Sequence, residues 1–191
     1  MIVNDDVTKK IIKEMKGYAL SDQDIKNALN INIITYPYLN NVKHIDEIFD
    51  KKGRSIILYL FSQNEGHYVA VLKHVNNKDT VIEWFDSYGN APKDIYKGLN
   101  IPTEVVDNLN EWPDVFLNLV NQSGYSLVWN KQKNQQYKTD INTCGDWATM
   151  RCLFYFLSLD DFNYMVNSIS KKYKITKDDL VSSFVHTNLL K

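Results

Sequence analysis

The chain has 191 residues, 44% hydrophobic and 24% charged, with a formal net charge of −1 at pH 7. That length suits one domain with a sizeable core, and the composition is that of a folded globular protein. The near-zero charge supplies no field for nucleic acid or a membrane surface, and no run of about 18 uncharged apolar residues is present to span a bilayer.

The opening segment, MIVNDDVTKKIIKEM, is acidic and then amphipathic. It lacks the basic start and apolar stretch of a signal peptide, so a cytosol-like compartment is expected and secretion is not. Residues 7–17 alternate apolar residues with Lys at helical spacing. Ser21 followed by Asp24 predicts a capping box for a short helix ending near Asn30. Residues 31–54 read as loop with a short helix around HIDEIF, and SIILYLF (55–61) is an apolar run of strand length. HYVAVLKHV (67–75) and TVIEWFD (80–86) are rich in β-branched and aromatic residues and predict a hairpin. DSYGNAP (86–92) is turn chemistry. Residues 93–120 read as mostly helical with breaks at Pro102 and Pro113, and GYSLVWN (124–130) as a further strand.

From Cys144 to Leu159 the chain is apolar almost all round, which predicts one helix buried inside the protein. Two helices follow. The first starts near Asp160–Asp161 with Phe162, Met165, Val166 and Ile169 as its apolar positions, and the second is capped by Thr176 with Asp179. With no internal repeat or Pro/Gly-rich linker, residues 1–191 are expected to form a single α+β domain, a central mixed, partly antiparallel sheet flanked by helices.

The two cysteines, Cys144 and Cys152, would stand two helical turns apart, about 12 Å at roughly 1.5 Å per residue. That exceeds disulfide reach, so both are expected as free thiols. Of 22 basic residues only Arg54 and Arg151 are Arg, and with abundant Asn and Ile this fits an AT-rich genome. Arg151 falls on the most apolar helix, where a buried guanidinium needs a carboxylate or backbone carbonyls to fork onto.

Chemistry concentrates in three places. If Asn76-Asn77 forms a two-residue turn, His67 faces Asp86 across the hairpin, with Cβ atoms about 4.5–5.5 Å apart and an imidazole–carboxylate hydrogen bond in reach. A four-residue turn would make them diagonal neighbours on one face. His44, His74 and His186 show no comparable partner and read as ordinary surface or edge residues. Cys144 opens the long apolar helix, where the helix dipole and a nearby imidazolium favour thiolate over thiol. The free amides of that helix start can bind an oxyanion, and Gly145 is expected to leave room for a substrate backbone. Cys152, inside the helix, reads as a small core residue. A helix-start Cys with a His/Asp pair meets the requirements of an activated nucleophile, in the order His, Asp, Cys, which is not the papain order. No HExxH, Cys/His cluster or Asp-rich loop calls for a metal, and no cofactor is expected.

The segments GHYVAVLKH, VIEWFDSYG, a Gln-rich stretch and NTCGDWATMR together resemble the adenain-like viral cysteine proteases and their relatives that cleave ubiquitin-like modifiers. The likeness runs from about Ser55 to Arg151 and looks nearest to maturation proteases of virophages, Polinton-like elements and giant viruses. It implies an adenain-like fold with the nucleophile at the N-terminus of a buried central helix. It also implies His67 as base with Tyr68 as the aromatic residue after it, Asp86 as third member of the triad and Cys144 as nucleophile.

An upstream Gln as oxyanion donor is implied as well. Among Gln132, Gln135 and Gln136, a pattern aligned on WNKQKNQ selects Gln135, while a shorter Gln-to-Cys spacing would select Gln136. The substrates implied are viral capsid or other structural proteins, met in the host cytoplasm or the virion. Two alternatives accompany this reading: a deconjugating enzyme for ubiquitin-like modifiers, and a non-catalytic virion-associated binding protein of the same fold. A peptide or DNA activator is known among adenain-like enzymes, but the near-neutral charge argues against strong activation by DNA.

Overall fold

In the computed structural model, which describes residues 6–62, 65–76, 79–95 and 114–190, the four expected strands join one further strand in a five-stranded sheet. Strand β1 (Ile33–Thr35) runs parallel to β2 (Arg54–Leu60), β2 is antiparallel to β3 (Gly66–Asn76), β3 to β4 (Asp79–Phe85), and β4 is parallel to β5 (Ser126–Trp129). The sheet is therefore mixed and partly antiparallel, as expected. β1 falls in the stretch read as loop, which also holds two short 3-10 helices, Tyr36–Asn41 and Ile45–Ile48.

The β3–β4 hairpin takes the register of the four-residue alternative and not that of an Asn76-Asn77 turn: Val75 pairs with Thr80 and Ala70 with Phe85, and Asn76 pairs with Asp79 as well. β4 ends before Asp86, and His67 pairs instead with Tyr59 of β2.

Apolar residues fill both faces of the sheet, which is why β2 is a continuous apolar run. On one face, Ile56, Ala70, Leu72 and Phe85 pack against Trp147, Ala148, Met150 and Cys152 of α4 (Cys144–Leu153). Around α4 stand α2 (Asp22–Leu29), α5 (Leu159–Tyr173) and α6 (Lys177–Asn188), with α1 (Asp6–Gly17) against α6. On the other face, Ile57, Val69, Val71 and Trp84 pack against Tyr36, Leu39, Ile45 and, from α3 (Val115–Ser123), Phe116. The expected helical stretch 93–120 is described only at its ends, as Pro92–Asp94 and α3; Pro102 and Pro113 lie outside the described residues.

Capping decides several helix boundaries. Ser21 and Asp24 cap α2 reciprocally, Asn30 closes it in the left-handed region, and Thr176 with Asp179 caps α6. The expected single helix from Cys144 to Leu159 is two elements. Helix α4 stops at Leu153, because Arg151 draws the carbonyls of Phe154 (2.7 Å) and Leu157 (2.9 Å) onto its guanidinium, and Ser158 caps a new helix.

Candidate active site

Three elements converge at the N-terminus of α4. Asp86 follows β4 directly and opens the DSYG turn, where its carboxylate is fully buried. Asp86 Oδ1 accepts the Tyr88 amide at 3.0 Å and Oδ2 the Asn90 amide at 3.1 Å, while Gly89 takes the left-handed φ of +82° that lets the turn fold back. A carboxylate held by two amides of its own turn is fixed in direction. It receives His67 Nε2 at 2.8 Å, so that nitrogen carries a proton and Nδ1 is left for a second partner.

Cys144 lies close by: Gly145, the next residue, packs against the ring of Tyr68, which follows His67. Burial lowers the proton affinity of the His67 imidazole, but the charge and hydrogen bond of Asp86, joined by the hydrogen bond and charge of Cys144, outweigh it and raise its pKa to about 10. His67 is 2% exposed, and the Tyr88 ring stacks on it at 5.3 Å between centroids. Burial and then the Cys144 charge push the Tyr88 hydroxyl upward.

Cys144 is half-buried and is the first residue of α4, whose first-turn amides have no intrahelical partner. Thr143 occupies the N-cap without capping through its side chain. Cys152 is fully buried; burial, the leading influence, pushes its thiol up to about 12.

Gln135 and Gln136 sit differently. Gln135 is 2% exposed; its backbone amide donates to the Ser87 carbonyl at 2.9 Å, and its Oε1 accepts the Ser87 hydroxyl at 2.7 Å. With Oε1 occupied, the free function of that side chain is its NH2 donor. Gln136 is held by its backbone amide, which donates to Asp178 Oδ2 at 2.9 Å. Gln132 is engaged with Asn167.

Two expectations are corrected here. Gly145 does not make room for a substrate. A Cβ there would stand 3.0 Å from Leu20 Cβ and 3.4 Å from the Tyr68 ring, so glycine is what lets α4 pack against the segment before α2. Nor do the other histidines lack partners. His74 Nε2 lies 3.0 Å from Glu83 Oε2, His186 lies 3.3 Å from buried Asp146, and His44 Nδ1 accepts the Asp46 amide at the start of a 3-10 helix. Arg151 meets its expected partners: it forks onto Glu83 at 2.7 and 2.8 Å besides the two carbonyls.

No protein-family model matches the chain. The uncharacterized protein V9 of Sputnik virophage is 32% identical over 176 residues, covering 90% of this chain and 98% of the relative. The chain belongs to the family of that virophage protein. Two crystal structures of the ASFV pS273R protease also align, each at 14% identity. One covers 93% of this chain and 69% of its own with a TM-score of 0.49, and a selenomethionine form covers 96% and 75% with a TM-score of 0.47.

In this relative of the virophage protein, sequence reasoning missed Ser87, Tyr88 and Asp178. Ser87 and Tyr88 lie inside the DSYG turn, and their proximity to Asp86 was the available signal. Asp178 carries no signal in the sequence, because within TKDD it reads as one more acid in the first turn of a helix.

Proposed function

We propose that the protein is a cysteine endopeptidase in which Cys144 is the nucleophile, His67 its base and Asp86 the anion that orients His67. The observation that carries this reading is a buried imidazole bonded to Asp86 at 2.8 Å, with a half-buried thiol nearby at the first residue of a helix whose Gly145 packs on Tyr68. In this mechanism His67 holds a proton as an imidazolium, which its raised pKa supports, and the sulfur reacts as the thiolate. The sulfur attacks a peptide carbonyl, forming a tetrahedral oxyanion that the first-turn amides of α4 and the Gln135 NH2 stabilise. His67 gives its proton to the leaving amine, the C–N bond breaks, and a thioester remains on Cys144. Water, deprotonated by His67, attacks that thioester and releases the acid. The Ser87 bond to Oε1 favours Gln135 over Gln136 as donor.

The substrates of this reading are structural proteins of a virus, cleaved at the site of assembly in the host cytoplasm or within the virion. Support comes from the virophage relative and from the motifs the chain shares with viral maturation proteases. Co-expression with the capsid proteins of the same genome, followed by mapping of new termini, tests it. Shortened products are expected with the wild type and none with Cys144→Ala. Identical processing by both would overturn the reading, and cleavage of a ubiquitin-like fusion instead would move the substrate to a modifier.

A further inference from the structure

Asp178 is fully buried on α6 and gathers three donors from two different segments. Its Oδ1 accepts the Thr143 hydroxyl at 2.7 Å and the Trp147 indole N–H at 2.9 Å, and its Oδ2 accepts the Gln136 amide at 2.9 Å. Thr143 immediately precedes Cys144, Trp147 lies one turn into the same helix, and Gln136 immediately follows Gln135.

We propose that Asp178 is a positioning residue that sets the two halves of the oxyanion site against each other. This rests on the reading of Cys144 as a nucleophile. One half is the N-terminus of α4 and the other is the loop that carries Gln135. The Ser87 hydroxyl fixes the Gln135 side chain from the Asp86 turn, and Asp178 fixes the next amide from the opposite side. The same carboxylate turns the Thr143 hydroxyl away from the helix it would otherwise cap. A Thr at an N-cap ordinarily accepts from a first-turn amide; here those amides are left for an incoming oxygen. Placement at the second residue of α6 suits the charge, because the start of a helix favours an anion. A carbonyl oxygen that becomes an oxyanion would then meet donors whose separation one buried carboxylate holds.

Two reagents acting on Cys144 separate this role from a general structural one, and neither needs a recognised peptide. Iodoacetamide alkylates the sulfur by displacement of iodide and passes through no oxyanion. p-Nitrophenyl acetate acylates it through a tetrahedral oxyanion, forming the S–acetyl bond and expelling p-nitrophenolate. Both rates on the intact protein are read by mass spectrometry of the Cys144 peptide. Asp178→Asn turns an amide NH2 toward one of the three donors; it is expected to slow acylation by roughly tenfold or more, by analogy with loss of an oxyanion donor, with alkylation changed less than about threefold. Thr143→Val removes a single donor and guards against misfolding of the first variant. It is expected to slow acylation less, again with alkylation preserved. Equal loss of both rates, or acylation unchanged in both variants, would overturn the proposal. Absence of peptidase activity alongside an intact acylation-to-alkylation split would sink the peptidase reading and leave the role of Asp178 standing.

Discussion

Nε2 of His67 lies 2.8 Å from Oδ1 of Asp86 although the two are not paired in the sheet: His67 registers with Tyr59, and β4 ends one residue before Asp86. The contact depends on the turn that aims the carboxylate, more than on the hairpin. Asp86→Asn is therefore expected to fold, since a carbonyl oxygen can still accept from the Tyr88 or Asn90 amide. Turnover is expected to fall by about four orders of magnitude at most, because the imidazole loses its orienting anion. The Asp86 charge is one of the influences holding His67 at about 10, so the alkaline limb of the pH–rate profile should move to lower pH in the variant. A pH–rate profile with its alkaline limb unmoved would assign Asp86 no electrostatic part.

The register of one hairpin accounts for much of what the sequence left illegible. With Asn76 opposite Asp79, His74 faces Val81 and becomes a diagonal neighbour of Glu83. Setting the turn one residue early hides that pair, so His74 looked unpartnered. His67 and Asp86 were legible all the same, because each stood in a local pattern of its own: a strand start after Gly66, and an acid opening a turn. The three-residue strand β1 gave no period to read, and its place depends on pairing with Ile56–Leu58 far along the chain. Asp146–His186 and Asp178–Gln136 join residues about forty positions apart, and separations of that kind are visible only after folding.

Both arginines of this lysine-rich chain are buried and forked. Arg54 binds Asp50 at 2.8 and 2.9 Å, and Arg151 binds Glu83. Burial raises the Glu83 pKa, but Arg151 and His74 reverse this and hold it below the ordinary range, so it is ionised inside the protein. Arg151→Ala would strand that charge and is expected to cost about 3–5 kcal/mol of stability in chemical denaturation. Arg151→Lys should also destabilise, since an ammonium cannot reproduce the fork. A loss under 1 kcal/mol would mean that the ion pair is solvated.

Asp146 offers a test with the opposite sign. Both of its oxygens are buried without a hydrogen bond, and burial raises its pKa from 3.8 to about 6 despite His186; Asp178 adds to the rise. The folded chain thus holds this proton more tightly than the unfolded one. Its contribution to stability is greatest below pH 3.8, falls as pH rises toward about 6, and is constant above. Asp146→Asn is expected to raise Tm by a few degrees at pH 7, with the gain shrinking below about pH 4. A lower Tm at pH 7 would show that Asp146 is satisfied by a partner such as His186⁺.

The central claim is that Cys144 is the nucleophile, and selective alkylation tests it most directly. Cys144 is half-buried beside His67, whereas Cys152 is fully buried with its thiol pushed up to about 12. Limiting iodoacetamide at neutral pH, followed by mass mapping and a peptidase assay on the same samples, should find Cys144 modified far faster than Cys152. Activity should fall in proportion to Cys144 modification, and His67→Ala should lose much of the selectivity. Modification of Cys152 first, or full proteolysis by protein alkylated completely at Cys144, would contradict the account.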